Sequence, residues 1–189
     1  MIWAIVFLVV IIIQRLVEVA IAKSNEKWMK SQGAREFGQS HYRLMVLMHT
    51  AFFVCLITEG LWLEPTMSSL WPIWISLFIL TQMARIWVLT SLGKYWNTKI
   101  IVLPNAKVVS KGPYRFVRHP NYVIVTMELI IIPLAFNAFV TLFLFAILNQ
   151  IILTIRIQEE EKALMAITNY EEEMKSKFKG VLLPPDVER

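Results

Sequence analysis

"PNYVIVTMELIIIPLAFNAFVTLFLFAILNQIILTIR" (residues 120–156) is almost entirely hydrocarbon, and its one clear interruption is Asn137. A bilayer core takes about 20 apolar residues per helix, with roughly 17 to 25 tolerated. Residues 120–136 and 138–156 each read as a span of that kind, the first of them short. Almost nothing is left between them for a loop, so the pair reads as a tight helical hairpin. Three further runs qualify, at 2–22, 43–63 and 70–91. The expectation is an all-α integral membrane protein with five transmembrane helices in one domain, 1–189. Its N-terminal spans occupy 1–91 and a C-terminal half occupies 92–180. The first run, "MIWAIVFLVVIII", has neither a basic leader nor a small-residue cleavage site, and reads as a retained span.

Composition agrees. The chain is 57% hydrophobic and only 17% charged, with a mean hydropathy of +0.56, outside the range of soluble domains. The single Cys55 excludes an internal disulfide.

The cations alternate with the spans. Lys23, Lys27, Lys30, Arg35 and Arg43 fall in the first loop, and Lys94, Lys99, Lys107, Lys111, Arg115 and Arg118 in the third. Lys162, Lys175, Lys177, Lys179 and Arg189 fall in the tail, while the second and fourth loops hold none. The positive-inside rule then puts the N-terminus outside, and loops one and three and the tail in the cytoplasm. Trp62 and Trp71 flank the outer loop as interfacial anchors. Net charge +5 is thereby assigned to the inner leaflet, with membrane lipids rather than nucleic acid as its partner. "RIQEEEKALMAITNYEEEMKSKF" (156–178) carries apolar residues at 157, 164, 167, 170, 174 and 178. That spacing predicts a C-terminal amphipathic helix against the membrane or the loops, ended by Gly180 and Pro184–Pro185.

Several polar residues sit where a bilayer penalises them. Arg15 and Glu18 share a helix face and are expected to pair. Arg85, about one turn from a span end, is expected to snorkel. His49 reads as a hydrogen-bonded core histidine, and Glu128 has no obvious partner in sequence. The histidines at 41, 49 and 119 make no metal-ligand set. No phosphate-binding or dinucleotide-binding glycine loop and no nucleophile elbow is present.

"KGPYRFVRHPNY" (111–122) is the exception to all this hydrocarbon. Gly112–Pro113 predicts a turn that aims Tyr114, and His119–Pro120 puts proline at the first position of a span, where its missing N–H costs nothing. The helix start, with Arg115, Arg118 and His119, suits a carboxylate or phosphate, and the tyrosines suit an apolar or cationic ligand. A basic segment gripping anionic headgroups is the alternative. A second cluster, Arg156 with Glu159, Glu160 and Glu161, ends the fifth span. Arg156 and Glu160 lie four apart on one helix face.

"LGKYW" (92–96), "VVSKGPYRFVRHPNY" (108–122) and "RIQEEEKAL" (156–164) resemble the motifs of the isoprenylcysteine carboxyl methyltransferase family, integral membrane enzymes that use S-adenosyl-L-methionine. The segment "QRLVEVAIAKSNEKWMKSQGAREFGQSHYRLMVLMH" (14–49) resembles a bacterial branch that includes O-methyltransferases of long-chain alkylpyrones. The resemblance implies that Tyr114, His119, Pro120, Asn121 and Tyr122 line a cofactor pocket. It also implies that a strand-like stretch, Ala106, Lys107, Val108 and Val109, contacts the cofactor through backbone. Glu160 would bind the cofactor and Arg156 the substrate, the two forming the catalytic pair. The acceptor would be lipophilic, with an alkylpyrone ring hydroxyl first and an isoprenylcysteine carboxylate second. A scaffold or small transporter subunit is the non-enzymatic alternative. The chain departs from the family at Ile124, where many members have glycine, and at "ITNY" (167–170), where Phe-Gly-x-x-Tyr is usual.

Overall fold

Long apolar runs with few glycines and prolines let the chain coil into helices whose backbone groups bond within the helix, as a bilayer requires. The computed structural model describes residues 2–62 and 68–177. Helices α1 (Ile2–Ser31), α2 (Gln39–Trp62), α3 (Trp71–Leu92), α4 (Pro120–Ala135) and α5 (Phe139–Ile167) run back and forth, and a short α6 (Tyr170–Lys177) follows. Four of the long helices are long and apolar enough to cross a membrane, and α4 is a shorter apolar helix. The protein is therefore an all-α, multi-pass membrane protein. α4 and α5 form the expected hairpin, joined only by Phe136, Asn137 and Ala138. Asn137 takes a left-handed φ of 54° there, a conformation that asparagine tolerates.

Two expectations on the basic side need correction. No separate amphipathic helix begins near 156, because α5 continues unbroken to Ile167. Nothing in "RIQEEEKALMAI" breaks a helix, and the interruption comes at Thr168–Asn169. The expected terminators Gly180 and Pro184–Pro185 lie outside the described residues. Nor is 106–109 a strand. The pairing falls earlier, where β2 (Ile100–Val102) runs antiparallel to β1 (Arg35–Phe37) with Glu36 opposite Ile101. Residues 100–102 are all buried, and residues 106–109 follow as irregular backbone.

Lysines fasten this small ribbon. Lys99 Nζ lies 3.3 Å from Glu36 and 2.9 Å from Glu26 on α1, and Lys30 lies 2.7 Å from Glu36. The bond from Lys30 holds the Glu36 carboxyl below its ordinary range. The bond to Glu26 pushes the Lys99 ammonium up. Asn97 Nδ2 donates to the Ala22 carbonyl at 3.0 Å, and Asn25 Nδ2 to the Trp96 carbonyl at 2.8 Å. The loop between α3 and α4 is thus pinned to α1.

Between the helices the apolar core is aromatic. Phe52 of α2 meets Phe145 of α5 edge to face at 5.4 Å, and Phe7 of α1 meets Phe78 of α3 at 4.9 Å. At the far end Glu59 of α2 accepts from the Val140 and Thr141 backbone N–H groups. It thereby caps α5, whose own N-cap, Ala138, offers no side-chain bond.

Four charged residues inside the spans, Arg15, Glu18, Arg85 and Glu128, form one network with Gln14 and Gln82. Arg15 pairs with Glu18 at 2.7 Å as expected, and also with Glu128 at 2.5 Å. Arg85 does not snorkel. It is only 3% exposed and binds both Glu128 oxygens and Glu18. Gln82 donates to Glu128, and Gln14 to Glu18 and Gln82. Two arginines and two glutamates cancel in charge, which makes their burial tolerable. His49 bonds the Met45 carbonyl at 2.8 Å, as a core histidine does.

Candidate active site

Three backbone features bring the motifs together. Gly112 opens a 3-10 turn over Gly112–Arg115 with φ 57°. A Cβ there would collide with Ser91 Oγ and come within 3.2 Å of the Trp87 ring nitrogen. Only glycine lets this turn press onto α3. Pro120 then starts α4, with no side-chain cap on its N-terminus. Finally, α5 carries Arg156, Glu160 and Glu161 past the start of α4 on successive turns.

Around these features lies a cleft open to solvent, with about 1120 Å³ of empty space, its open mouth included. Ala106, Lys107, Val108, Val109, Tyr114, His119, Asn121, Tyr122, Arg156 and Glu160 all line it. Pro120 is buried but is not in the lining, and Ile124 is buried inside α4 away from it. Among the described residues of α1 and α2, only Met29 reaches the wall. Trp96, Lys99, Tyr170 and Met174 also line the cleft. Trp96 and Tyr170 lie in the quoted "LGKYW" and "ITNY" segments, so the signal for them was present in the motifs. Met174 carried only helical periodicity.

Tyr122 is the hub. Its hydroxyl donates to Glu160 Oε2 and accepts from Arg156 Nε at 2.9 Å. The guanidinium lies 5.7 Å from the tyrosine ring. Arg156 Nη2 donates to the Thr98 carbonyl at 2.6 Å. His119 stacks on Tyr122 with centroids 5.3 Å apart and planes 19° apart. Its Nε2–H donates to Glu161 at 3.1 Å, and its Nδ1 lies 3.7 Å from Glu160. The Tyr170 hydroxyl also donates to Glu161, at 3.3 Å, and Arg118 lies 3.8 Å from it. Burial raises the Tyr114 phenol, and the Glu160 charge adds to the effect. Burial likewise raises Tyr170, with Glu161 adding. Both phenols stay neutral at physiological pH.

Four buried side-chain polar atoms have no partner among the described residues: His41 Nε2, Trp96 Nε1, Asn121 Oδ1 and Arg156 Nη1. The last three belong to residues that line the cleft. Buried polar groups are nearly always paired, by protein, ligand or ordered water, so these three side chains are the candidates of the cleft for contacts beyond the protein. A shallower groove lies on the flank between α4 and α5, lined by Phe116, Val123, Met127, Leu153 and Ile157. It shares Arg118, His119 and Tyr122 with the cleft.

Comparison with known proteins places this geometry. The chain is 46% identical over 155 residues to the uncharacterized protein YpbQ of Bacillus subtilis, covering 82% of this chain and 92% of that protein. An uncharacterized protein of Haemophilus influenzae is 28% identical over 151 residues, 79% of this chain and 88% of that one. No solved structure matches. The sequence pattern of the isoprenylcysteine carboxyl methyltransferase family matches residues 74–166. That span runs from α3 through nearly all of α5 and holds most of the cleft wall. The protein that builds this cleft at the end of its apolar helices therefore belongs to the isoprenylcysteine carboxyl methyltransferase family, a family of membrane methyltransferases.

Proposed function

We propose that the protein is an S-adenosylmethionine-dependent O-methyltransferase whose acceptor is a lipophilic anion, first the ring hydroxyl of a long-chain alkylpyrone. The observation that carries this reading is Arg156. It is 4% exposed and lines the cleft, with two nitrogens bonded to protein and Nη1 unpartnered. A buried guanidinium with one free edge is a receptor for an anionic oxygen.

The residues present suit the cofactor. S-adenosylmethionine is cationic and rich in donors, and it supplies an electrophilic methyl carbon whose bond to sulfur breaks, its electron pair passing to sulfur, as a bond to the acceptor oxygen forms. Glu160 offers a carboxylate, Asn121 Oδ1 an unmet acceptor, and the stacked His119–Tyr122 pair an aromatic wall. Tyr114 and the 106–109 backbone complete that side, and Pro120 fixes the turn into it. Arg156 holds the acceptor oxygen in line, and the cleft walls exclude water. Alignment of this kind supplies much of the acceleration in a direct displacement. A 4-hydroxy-2-pyrone is a vinylogous acid and already anionic near neutral pH, so no general base is needed. The apolar groove between α4 and α5 offers the acceptor's chain a path from the bilayer.

The carboxylate of an isoprenylcysteine is the second reading, favoured by the family's own name and equally able to meet Arg156. A lipid-binding scaffold would leave the unmet hydrogen bonds of the cleft without purpose. The alternation of Lys and Arg supports a cytoplasmic side for the cleft, where a water-soluble cofactor is available. The test is incubation of purified protein with labelled S-adenosylmethionine and each acceptor in parallel, alongside calorimetry with S-adenosylhomocysteine. Methyl transfer to the alkylpyrone is expected. Transfer to a farnesylcysteine analogue alone reverses the order of acceptors, and absence of cofactor binding by folded protein favours the scaffold.

A further inference from the structure

We infer that Trp96 is a second acceptor-binding residue: its indole N–H takes one oxygen of a two-oxygen anion while Arg156 Nη1 takes the other. This rests on the reading of the cleft as a methyltransferase site with an anionic acceptor. Trp96 is 4% exposed, lines the cleft, and its Nε1–H is buried without a partner. Indole nitrogen is a donor only, so the missing partner is an acceptor atom.

The surroundings of Trp96 are built to hold that donor still. Its backbone N–H bonds the Gly93 carbonyl at 3.1 Å, and its carbonyl accepts from Asn25 Nδ2 at 2.8 Å. Two residues on, the Thr98 carbonyl takes Arg156 Nη2. The guanidinium is thereby tied to the same short segment that carries the indole. With Nε committed to Tyr122 and Nη2 bonded to Thr98, Nη1 is the guanidinium nitrogen with no partner among the described residues. Two residues of the cleft wall, from two different elements, therefore carry a buried donor that has no partner among the described residues, and a third, Asn121, carries such an acceptor, Oδ1.

The signs of these groups sort the ligands. Asn121 suits the amine and hydroxyl donors of the cofactor, whereas the two donors suit an anion whose charge is shared over two oxygens. The cofactor's own α-carboxylate has that form too, so S-adenosylhomocysteine alone is the control that separates it from the acceptor. A pyronate or a carboxylate has that form. A simple phenolate, with one oxygen, does not. Methyl transfer consumes one of the two oxygens, and the other stays on Trp96 through the displacement, fixing the ring's orientation. Trp96 thus sets which oxygen reaches the methyl carbon.

The experiment reads the indole N–H directly, by nitrogen-15 NMR of the full chain in detergent, with the Trp96 resonance identified by its loss in Trp96→Phe. S-adenosylhomocysteine alone is expected to leave it in place. Addition of 6-undecyl-4-hydroxy-2-pyrone moves it downfield, and 4-dodecylphenol moves it far less. In parallel, Trp96→Phe lowers kcat/KM for the pyrone by about tenfold or more, with affinity for S-adenosylhomocysteine unchanged. A shift produced by S-adenosylhomocysteine alone, or none under saturating pyrone with cofactor bound, overturns the inference by itself. A folded protein that neither binds S-adenosylhomocysteine nor transfers a methyl group removes the methyltransferase reading and this inference together.

Discussion

At Arg156 one side chain joins three parts of the chain that are far apart in sequence. Nε reaches the Tyr122 hydroxyl on α4, Nη2 reaches the Thr98 carbonyl before β2, and Nη1 has no partner among the described residues. A planar fork does this where an ammonium does not, because the three directions are fixed relative to one another. Removing the guanidinium takes away a charge-assisted contact beside the reacting oxygen, worth on the order of 2–4 kcal/mol of barrier. Arg156→Ala is therefore expected to lower turnover by about 30-fold to 1000-fold. Binding of S-adenosylhomocysteine, measured by calorimetry, should stay near the wild-type value. Arg156→Lys should recover little, since a point charge cannot hold Tyr122 and Thr98 and still present a donor. An equal loss of cofactor affinity in Arg156→Ala would reassign the residue to the cofactor.

Elements meet the site through close approaches that a single atom can spoil. The turn at 112–115 presses onto α3 only because Gly112 has no Cβ and accepts φ 57°. Gly112→Ala combines a left-handed backbone with a collision at Ser91, and strain of this type costs on the order of 1–3 kcal/mol. The measurement is thermal unfolding in detergent, where the variant melts below wild type. Adding Ser91→Ala recovers part of the loss, because the collision is relieved and the backbone strain remains. Full recovery by the second change would mean that the left-handed φ costs nothing. The Gly-Pro pair announces this turn in the sequence, but nothing local announces that it leans on Ser91. The same division runs through the rest of the molecule. Apolar length revealed the spans, and i,i+3 spacing revealed Arg15 with Glu18. The partners of Glu128 come from α1 and α3, beyond the reach of any local rule. Arg85 looked free to snorkel for the same reason. β1 and β2 have three residues each, and pairing across 65 positions decides them. In the site, the motif residues converge on one cleft apart from Pro120. The Thr98 carbonyl is a backbone atom and has no signature in the sequence.

The helix lengths set where the whole molecule carries out its chemistry. α4 has 16 residues and is about 24 Å long, short of a hydrocarbon core of about 30 Å. Along α5, Arg156 lies about 26 Å from Phe139 at the same rise per residue. α4 ends and α5 begins at one hairpin, so His119 and Arg156 sit at similar height. With the hairpin at the far boundary of the hydrocarbon, the cleft sits a few ångströms below the near one. An amphiphile with its ring at that level keeps its chain in the bilayer and reaches Arg156 without leaving it. On the proposed reading, the membrane itself then concentrates the acceptor. Transfer of each methylene contributes about 0.8 kcal/mol, roughly fourfold in partition at 25 °C. For protein in vesicles, 4-hydroxy-2-pyrones with progressively longer 6-alkyl chains are expected to show apparent KM falling by about fourfold per methylene. The fall should stop once the acceptor is wholly membrane-bound. kcat at saturation should stay level, because the ring, Arg156 and the methyl carbon keep their geometry whatever the chain length. A KM indifferent to chain length would mean that the acceptor arrives from water through the open mouth of the cleft, and the groove between α4 and α5 would then have no part in its delivery.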